Sequence, residues 1–586
     1  MSAGIAVSGA RDSSWIIGKQ QAEADHGMVA SLHPLASAAG LEILQAGGNA
    51  VDAAVATAFA IGVVEPFMSG VGGVAALVFH NPKTGRTVVV DGSGTAPLAA
   101  REDSFELAPL GTSGGLYGWR GTVNNASNEG FRAPIVPGMP AAMLYAQEKY
   151  GSGKVTRQQV LAPAIRLAED GFLVDSYVAS TTAFHQRMLR KNAEALRTFF
   201  HEDGTPLQPG GITTAPDRLV QQDLARTLKG LAEGGADAYY RGETARMIVD
   251  DLQAHGGMLT LEDFANYTVR EFDAPLVATY RDYTLHGIPK TSGCVTAFQA
   301  LNILEHFDLA SLGAGSGAAT HLIVEACRRA FLDRLVHLAD PDMQPAPFDG
   351  MLSKGYAAQL AATIDRERAT PDIGPGDPWA FEPGGRPAGL PRAGDDGGET
   401  CTTHLTAVDA DRNVVTLTTT LGELFGSGVV ARGTGVTLNG GMTWFNPEPG
   451  TLNSIEPGKR ILWAPTPTIV LNKAGQPILA LGAPGGRRIM TAVLQSIVNV
   501  LDFSMGVQDA VSAPRIHCEG ATTLAEARLG DAVLDDLARR GHRLNVIEET
   551  GSTFSFARPN GIAIDAGTGR LTGGVNQFTP STALGY

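Results

Sequence analysis

Two threonines, Thr402 and Thr420, have a spacing that could bring two hydroxyl groups together. They end the segment TTHLTAVDADRNVVTLTTT, in which apolar and β-branched runs flank the polar stretch DADRN. Short β-branched runs on either side of Asp and Asn residues predict a β-hairpin. A hairpin centred on Asp411 places Thr402 opposite Thr420, with their Cβ atoms about 4.5–5.5 Å apart. We therefore expect both hydroxyls at the open end of this hairpin.

A threonine at the start of this hairpin could serve as the nucleophile of an amidase. Its hydroxyl alone is a weak nucleophile, but a free α-amine on the same residue, with a pKa of about 7.7–8.0, can act as its base. The preceding segment AGDDGGETC (393–401) is typical of a mobile loop. We hypothesise that Thr402 attacks the carbonyl of Cys401 and that hydrolysis then separates fragments 1–401 and 402–586. Taken alone, the hairpin favours an ordinary strand threonine.

The helices and strands around this hairpin are predicted from the spacing of apolar residues and from the residues that cap or end helices. A helix is predicted from residue 34 to the Gly47-Gly48 stop, and Asn49 is expected to cap a second helix over 51–64, apolar on nearly every face and so buried. Strands are predicted at 74–79 and 87–91, helices dominate 137–275, and strands dominate after 402 apart from helices at 490–501 and about 530–540. Residues 366–400 are predicted to form a linker. Separate blocks of strands and helices indicate an α+β fold with stacked antiparallel sheets flanked by helices.

The composition narrows the class of protein and its partners. The chain has 586 residues, 44% of them apolar, and a net charge of −15, which disfavours nucleic acid or an anionic membrane as the main partner. The four cysteines, Cys294, Cys327, Cys401 and Cys518, form no CxxC pair, so we expect neither a metal site nor a disulfide framework. The first residues show no signal-peptide pattern, and the run at 51–64 is too short to span a bilayer. These features predict a soluble, cytoplasmic protein.

Several separate blocks resemble the γ-glutamyltransferase family, a branch of the N-terminal-nucleophile hydrolases. The resemblance extends from about His26 to Tyr586, and the blocks occur in the order of that family. They are QAGGNAVDAAVA (45–56), EPFMSGVGG (65–73), VPG (136–138), LAEDGF (167–172), GMLTLED (257–263), TTH (402–404), VD (408–409), FGSG (425–428), PGKR (457–460), PTPTIV (465–470) and GAPGGRRI (482–489).

The resemblance implies roles for residues in these blocks. Thr402 would be both the self-cleavage residue and the nucleophile, and Thr420 would hydrogen-bond its amine or hydroxyl. Gly485 and Gly486 would donate backbone N–H groups to an oxyanion hole. The implied fold is a four-layer αββα sandwich built from a large fragment, 1–401, and a small fragment, 402–586. The fragments would form a heterodimer, with pairing into a heterotetramer as a further option, and no metal or organic cofactor is implied.

The chain departs from the family where the γ-glutamyl group would be held. In the family, an arginine and paired serines hold the carboxylate of that group, and amide and acidic side chains hold its ammonium. The matching positions here are Ser93, Gly422, Gly441, Trp444, Trp463 and Ala464. Loss of the arginine removes a bidentate partner for a carboxylate, and the tryptophans indicate an apolar or aromatic wall. We therefore predict a small-molecule amide substrate whose acyl group is not a γ-glutamyl amino acid.

Two other functions remain open from the sequence. One is a genuine γ-glutamyltransferase or glutathione hydrolase with a rearranged pocket. The other is a non-catalytic binding protein on the same fold, although such a protein would have no need of Thr402, Thr420 and the glycine pair. His404 could be a site residue or a structural histidine, and Glu423 could replace a lost polar contact or be an exposed loop residue. The acyl donor, the acceptor and the oligomeric state are left undetermined.

Overall fold

The computed structural model describes residues 17–112, 119–387, 390, 401–551, 553 and 555–586 and shows a mixed α+β fold. The helices are α1 Pro34–Gln45, α2 Ala50–Val64, α3 Met139–Tyr150, α4 Arg157–Glu169, α5 Ser176–Leu189, α6 Ala193–Phe199, α7 Gln222–Tyr240, α8 Glu243–Ala254, α9 Leu261–Ala265, α10 Cys294–Leu304, α11 Leu309–Leu312, α12 Gly317–His337, α13 Phe348–Leu352, α14 Lys354–Ala362, α15 Arg488–Leu501, α16 Val507–Ser512 and α17 Asp531–Arg539.

The strands are more numerous than the helices and most of them are short. They are β1 Ala22–Ala24, β2 Met28–Ser31, β3 Val74–Asn81, β4 Arg86–Gly92, β5 Phe172–Leu173, β6 Arg218–Leu219, β7 Arg270–Phe272, β8 Leu276–Tyr280, β9 Tyr283–Gly287, β10 Cys401–Val408, β11 Val414–Gly422, β12 Val430–Ala431, β13 Val436–Thr437, β14 Thr468–Leu471, β15 Pro477–Gly482, β16 Ile516–Cys518, β17 Thr522–Glu526, β18 Arg543–Ile547, β19 Asn560–Ile564, β20 Leu571–Val575 and β21 Thr582–Gly585.

Two seven-stranded antiparallel sheets form the centre of the molecule. The first sheet has the order β21-β2-β10-β11-β3-β4-β7, and the second has the order β1-β20-β19-β15-β14-β9-β8. Their faces meet beside the hairpin β10–β11, where the Thr416 hydroxyl donates to the Leu481 carbonyl at 3.3 Å and the Asn560 side chain donates to the His404 carbonyl at 3.1 Å. The two sheets are therefore stacked, with the predicted hairpin in the middle of the first one.

Helices cover the outer face of the first sheet. Asn49 caps α2 in a capping box with Asp52, and every residue of α2 is buried. The apolar side chains of α1 and α2 share a core with outward-facing hairpin residues such as Leu405 and Leu417. The predicted cap and burial of α2 are thus confirmed, because an all-apolar helix is stable only when every face is covered.

A second set of helices covers the outer face of the second sheet. Apolar residues of α10, α12 and α15 share a core with β9, β14, β15 and β19. Helix α15 begins six residues after the end of β15, so a short segment joins this strand to the outer helix layer. The layers therefore alternate helix, sheet, sheet and helix.

Most elements predicted around the sheets are present, with a few differences. Helix α16 and strand β16 were not predicted, because each is too short to show a period. In the predicted linker 366–400, residues Pro378–Phe381 form a short 3-10 helix, while 388–389 and 391–400 lie outside the described residues. Within the described part of the chain, no helix has the length and apolarity needed to cross a membrane.

Candidate active site

The hairpin β10–β11 has the predicted centre but an irregular open end. Val408 pairs with Val414, and the register continues to Thr403 opposite Thr419, as a hairpin centred on Asp411 requires. The register then shifts, so that Cys401 pairs with Gly422. Thr402 therefore lies in a bulge and is not directly paired with Thr420, which corrects the predicted opposition.

The two hydroxyl groups nevertheless lie together. Thr402 Oγ1 is 3.4 Å from Thr420 Oγ1, and both side chains are buried. The N–H of Gly422 donates to Thr420 Oγ1 at 2.9 Å, which fixes the Thr420 hydroxyl next to Thr402. This geometry allows Thr420 to orient the hydroxyl or the amine of Thr402.

The glycine pair of the predicted oxyanion hole follows strand β15. Gly485 has φ +132°, and a Cβ atom added to it would lie 2.6 Å from Ala557 Cα, so only glycine fits. Leu481 contacts Thr416, and Gly482 packs against the His404 ring. As β15 advances, its contacts thus move along the hairpin towards Thr402. The strand that precedes the glycine pair therefore approaches the Thr402 end of the hairpin.

Arg487, the residue after the glycine pair, belongs to a series of polar side chains that contact one another. Arg487 Nη2 contacts Glu519 Oε2 at 2.9 Å, and His517 Nε2 contacts Glu519 Oε1 at 2.9 Å. His517 Nδ1 lies 2.9 Å from the Thr491 hydroxyl, which also donates to the Arg488 carbonyl at 3.0 Å. Burial opposes ionisation of Glu519, but Arg487 and His517 hold its pKa down at about 2. The chain of contacts ties the start of α15 to β16.

Gly422 and Trp444, two of the predicted pocket positions, are in contact. Gly422 has φ +91°, and a Cβ atom on it would lie 3.2 Å from Cη2 of the Trp444 ring. Trp444 ends the short 3-10 helix Gly441–Trp444, and Gly441 packs so closely on Ile135 that a Cβ atom would lie 2.3 Å from Ile135 Cγ1. An indole therefore lies against Gly422, two residues after Thr420, and Gly441 has no room for an amide side chain.

Ser93, at the position of the family arginine, is completely buried. Its hydroxyl donates to Asp91 Oδ2 at 3.1 Å, and Arg460 Nη1 donates to its carbonyl at 3.0 Å. Burial raises the pKa of Asp91, although Arg460 and Ser93 oppose the rise. The structure thus directs the Ser93 side chain back onto its own strand, and Arg460, which the sequence analysis did not single out, supplies the nearby positive charge.

Trp463 and Ala464 lie three and four residues beyond Arg460 and are also buried. The backbone N–H of Trp463 donates to the Thr291 carbonyl at 3.2 Å. The side chain of the buried Arg334 donates to the Trp463 carbonyl at 2.8 Å. These contacts fix the backbone at the position of the paired serines. Arg334 was missed in the sequence because nothing local to helix α12 indicates its distant partner.

His404 has the surroundings of a structural residue. Its ring lies between Thr418 at 3.0 Å, Thr416 at 3.2 Å and Thr406 at 3.3 Å. Burial lowers its pKa to about 3, so the imidazole is neutral at physiological pH. Of the two interpretations left open, these contacts favour the structural one.

Glu423 is half-buried rather than an exposed loop residue. Its Oε1 accepts a hydrogen bond from the Thr443 hydroxyl at 3.2 Å, next to Trp444. A carboxylate therefore lies at the edge of the segment that carries Gly441 and Trp444, which favours the interpretation that it contributes a polar contact there.

Glu65 is a further residue near Thr402 that the sequence analysis did not single out. It is fully buried, and its Oε2 accepts a hydrogen bond from the hydroxyl of Thr403 at 3.2 Å. The signal in the sequence was an acidic residue directly after a helix that is apolar on all faces, where a carboxyl group has few ways to reach water.

His321, Glu325 and His542 form a buried group whose ligand atoms lie within 4.8 Å of one another. The Glu325 carboxylate, however, already accepts hydrogen bonds from Arg328 at 2.8 Å, from Arg329 at 2.7 Å and from the Thr370 hydroxyl at 2.6 Å. With two guanidinium groups on its only carboxylate, this group does not fit a cation.

Comparison with known proteins agrees with this geometry. The model of the family described as Gamma-glutamyltranspeptidase matches residues 36–586. The chain is 39% identical to the Acylase ACY 1 proenzyme of Pseudomonas sp. (strain SE83), over 90% of this chain and 88% of that protein. It is 38% identical to the Glutathione hydrolase proenzyme of Pseudomonas sp. (strain A14), over 84% and 82%.

A solved structure supports the same relationship. The cephalosporin acylase from Bacillus halodurans superimposes with a TM-score of 0.83 at 29% identity and covers 99% of both chains. Together with the paired threonines and the glycine pair after β15, these matches show that the chain is an enzyme of the gamma-glutamyltranspeptidase family.

Proposed function

We propose that the chain is the precursor of a self-processing amidohydrolase with Thr402 as its nucleophile. The Thr402 oxygen attacks the carbonyl carbon of Cys401, the peptide C–N bond breaks, and the hydroxyl proton passes to the Thr402 nitrogen. One water then hydrolyses the ester, which leaves a carboxylate on Cys401 and a free amine on Thr402. The observation that carries the proposal is the contact between the Thr402 and Thr420 hydroxyls at 3.4 Å.

The same residue then performs turnover. The free amine of Thr402 takes the proton from its hydroxyl, the oxygen attacks the substrate amide, and the amine product leaves with a proton. Water or a second amine releases the acyl group from the Thr402 ester. The N–H groups of Gly485 and Gly486 stabilise the oxyanion, and one such donor contributes about 2.7–4 kcal/mol to barrier lowering.

Mass measurement tests the nucleophile. Under denaturing conditions, freshly purified protein is expected to give two polypeptides, 1–401 and 402–586, and under native conditions a complex containing one of each. Thr402→Ala is expected to stay a single chain without amidase activity, while Thr406→Ala, on the same strand, is the matched control that still cleaves. Cleavage at another bond, or cleavage of the Thr402→Ala chain, would overturn the assignment. Biological activity that persists in Thr402→Ala would favour the binding protein.

We further propose that the acyl group is not a γ-glutamyl amino acid. The contact of Trp444 with Gly422, the lack of room at Gly441 and the burial of Ser93 support this specificity. The relatives named acylases are consistent with it, whereas the relative named glutathione hydrolase favours the alternative of a genuine γ-glutamyl enzyme.

Two chromogenic amides separate these alternatives. We expect phenylacetyl-p-nitroanilide to be hydrolysed with a kcat/KM at least about 100-fold above that of γ-glutamyl-p-nitroanilide, since a site without the polar clamp cannot compensate the ammonium and carboxylate of the glutamyl group. The Thr402→Ala protein is the blank for both amides. Robust turnover of γ-glutamyl-p-nitroanilide with a micromolar KM would establish the glutathione hydrolase alternative.

A further inference from the structure

A buried carboxyl group of the N-terminal part of the chain lies beside the residue that follows the nucleophile. Glu65 is the residue after helix α2, and none of its surface is exposed. The Thr403 hydroxyl donates to Glu65 Oε2 at 3.2 Å. After cleavage at Thr402, this hydrogen bond would join the large fragment to the second residue of the small fragment.

The segment that starts at Glu65 also holds the other strand of the hairpin. The N–H of Leu421 donates to the Met68 carbonyl at 3.1 Å, and the N–H of Phe425 donates to the Phe67 carbonyl at 2.9 Å. Residues 65–68 therefore contact β10 through a side chain, and they contact the end of β11 and the segment after it through two backbone carbonyls, at the end of the hairpin where Thr402 lies.

Thr403 is the residue at which the regular part of the hairpin begins. The register shifts between Cys401 and Thr403, so Thr403 is the first residue in regular register after Thr402. We propose that Glu65 is a positioning residue that holds Thr403 and thereby fixes the bulge that presents the Thr402 hydroxyl. This inference rests on the proposed role of Thr402 as nucleophile.

Burial and the charged groups around Glu65 determine whether the carboxyl group that contacts Thr403 is neutral or ionised. Two charged groups act on Glu65, Asp175 and Arg558. Asp175 lies at the start of α5, 3.7 Å from His33, and Arg558 lies 3.7 Å from Glu549. Burial raises the pKa of Glu65 to about 8, with Asp175 adding to the rise and Thr403 and Arg558 opposing it. Glu65 is therefore a neutral acid at pH 7, and a glutamine can replace it.

Substitutions at Thr403 test the contact, with Thr419 as the matched control. Thr419 lies directly opposite Thr403 on the same face of the sheet, and its hydroxyl has no hydrogen-bond partner within the described residues. In a cell-free synthesis time course followed by intact mass, Thr403→Val is expected to slow self-cleavage about 10- to 100-fold, a range typical of small misplacements of a reacting group. Thr403→Ser keeps most of the rate, and Thr419→Val is unchanged.

Substitutions at Glu65 separate positioning from simple burial. Glu65→Ala is expected to match Thr403→Val in slowing both self-cleavage and the kcat for phenylacetyl-p-nitroanilide, with KM unchanged. Glu65→Gln restores the rate, and the Glu65→Ala, Thr403→Val double variant is no slower than either single variant, because both remove the same contact.

The outcomes distinguish this inference from the proposed function. If Thr402→Ala blocks cleavage while a folded Glu65→Ala or Thr403→Val protein, verified by circular dichroism, cleaves at the wild-type rate, the positioning role is wrong and the nucleophile stands. Equal losses in Thr403→Val and Thr419→Val, or additive losses in the double variant, would also overturn it. If Thr402→Ala still cleaves, the nucleophile assignment fails first.

Discussion

At the scale of single residues, the face of the hairpin that carries Thr402 continues as a row of polar side chains between the two sheets. His404 lies in this row, with three threonine hydroxyls around its ring. A Cβ atom on Gly482 of the second sheet would lie 2.2 Å from His404 Cε1, so the ring fills the space between the sheets. His404 therefore links the two sheets on the same face of the hairpin as Thr402, two residues away.

The buried, neutral state of His404 predicts how stability depends on pH. The unfolded residue titrates near pH 6.5 and the folded one near 3, so between these values only the unfolded state binds the proton. The free energy of unfolding should fall as the pH drops below about 6.5, by up to about 1.4 kcal/mol per pH unit from this residue alone. Chemical denaturation of the uncleaved Thr402→Ala chain between pH 7 and 4.5 measures this slope.

His404→Asn in the same background is the comparison for that slope. Asparagine does not titrate but can still hydrogen-bond the neighbouring threonines, so its stability should depend less steeply on pH. Identical slopes in the two proteins would show that His404 is protonated in the folded state or exposed to water, and would contradict the structural interpretation.

At the scale of elements, the start of α15 is held more firmly than a helix N-terminus usually is. Arg487, directly after the glycine pair, contacts Glu519, and Gln495, about two turns further along, donates to the Ile516 carbonyl at 2.8 Å. Strand β16 thus holds the first turns of the helix in place. Because Gly485 and Gly486 are joined to that helix, the direction of their N–H groups depends on these contacts.

Glu519→Gln tests this dependence. Removing the charge weakens the contact with Arg487, so we expect kcat for phenylacetyl-p-nitroanilide to fall about 10-fold with little change in KM, as for a group that stabilises only the transition state. Asp531→Asn, which neutralises an exposed carboxylate at the start of α17, is the control with the same chemical change. A change in KM alone would place Glu519 in substrate binding instead.

At the scale of the whole molecule, cleavage at Thr402 would cut the chain without dividing the fold. In the first sheet, β10 and β11 of the small fragment lie between β2 and β3 of the large one, and in the second sheet β14 pairs with β9. Separating the fragments would expose unpaired strand edges and both faces of the core. This interleaving is the physical reason to expect a stable one-to-one complex in the native mass measurement.

The sequence by itself determined the local features of this protein. The hairpin centre at Asp411 and the capped and buried helix α2 each depend on residues close together in the chain, where turn chemistry and periodicity act. The glycine pair was singled out only through the resemblance to the family. The proximity of the Thr402 and Thr420 hydroxyls follows from the same hairpin. The bulge at Thr402 was not predictable in this way, because it depends on contacts outside the hairpin.

Only the tertiary structure decided what surrounds Thr402 and the predicted pocket positions. Glu65 reaches Thr403 from 338 residues away, and Arg460 reaches Ser93 from 367 residues away. Trp444 contacts Gly422 because a short 3-10 helix returns to the end of β11. Such contacts depend on how the two sheets and their helices pack against one another. The spacing of residues along the sequence does not indicate which distant side chains this packing brings together.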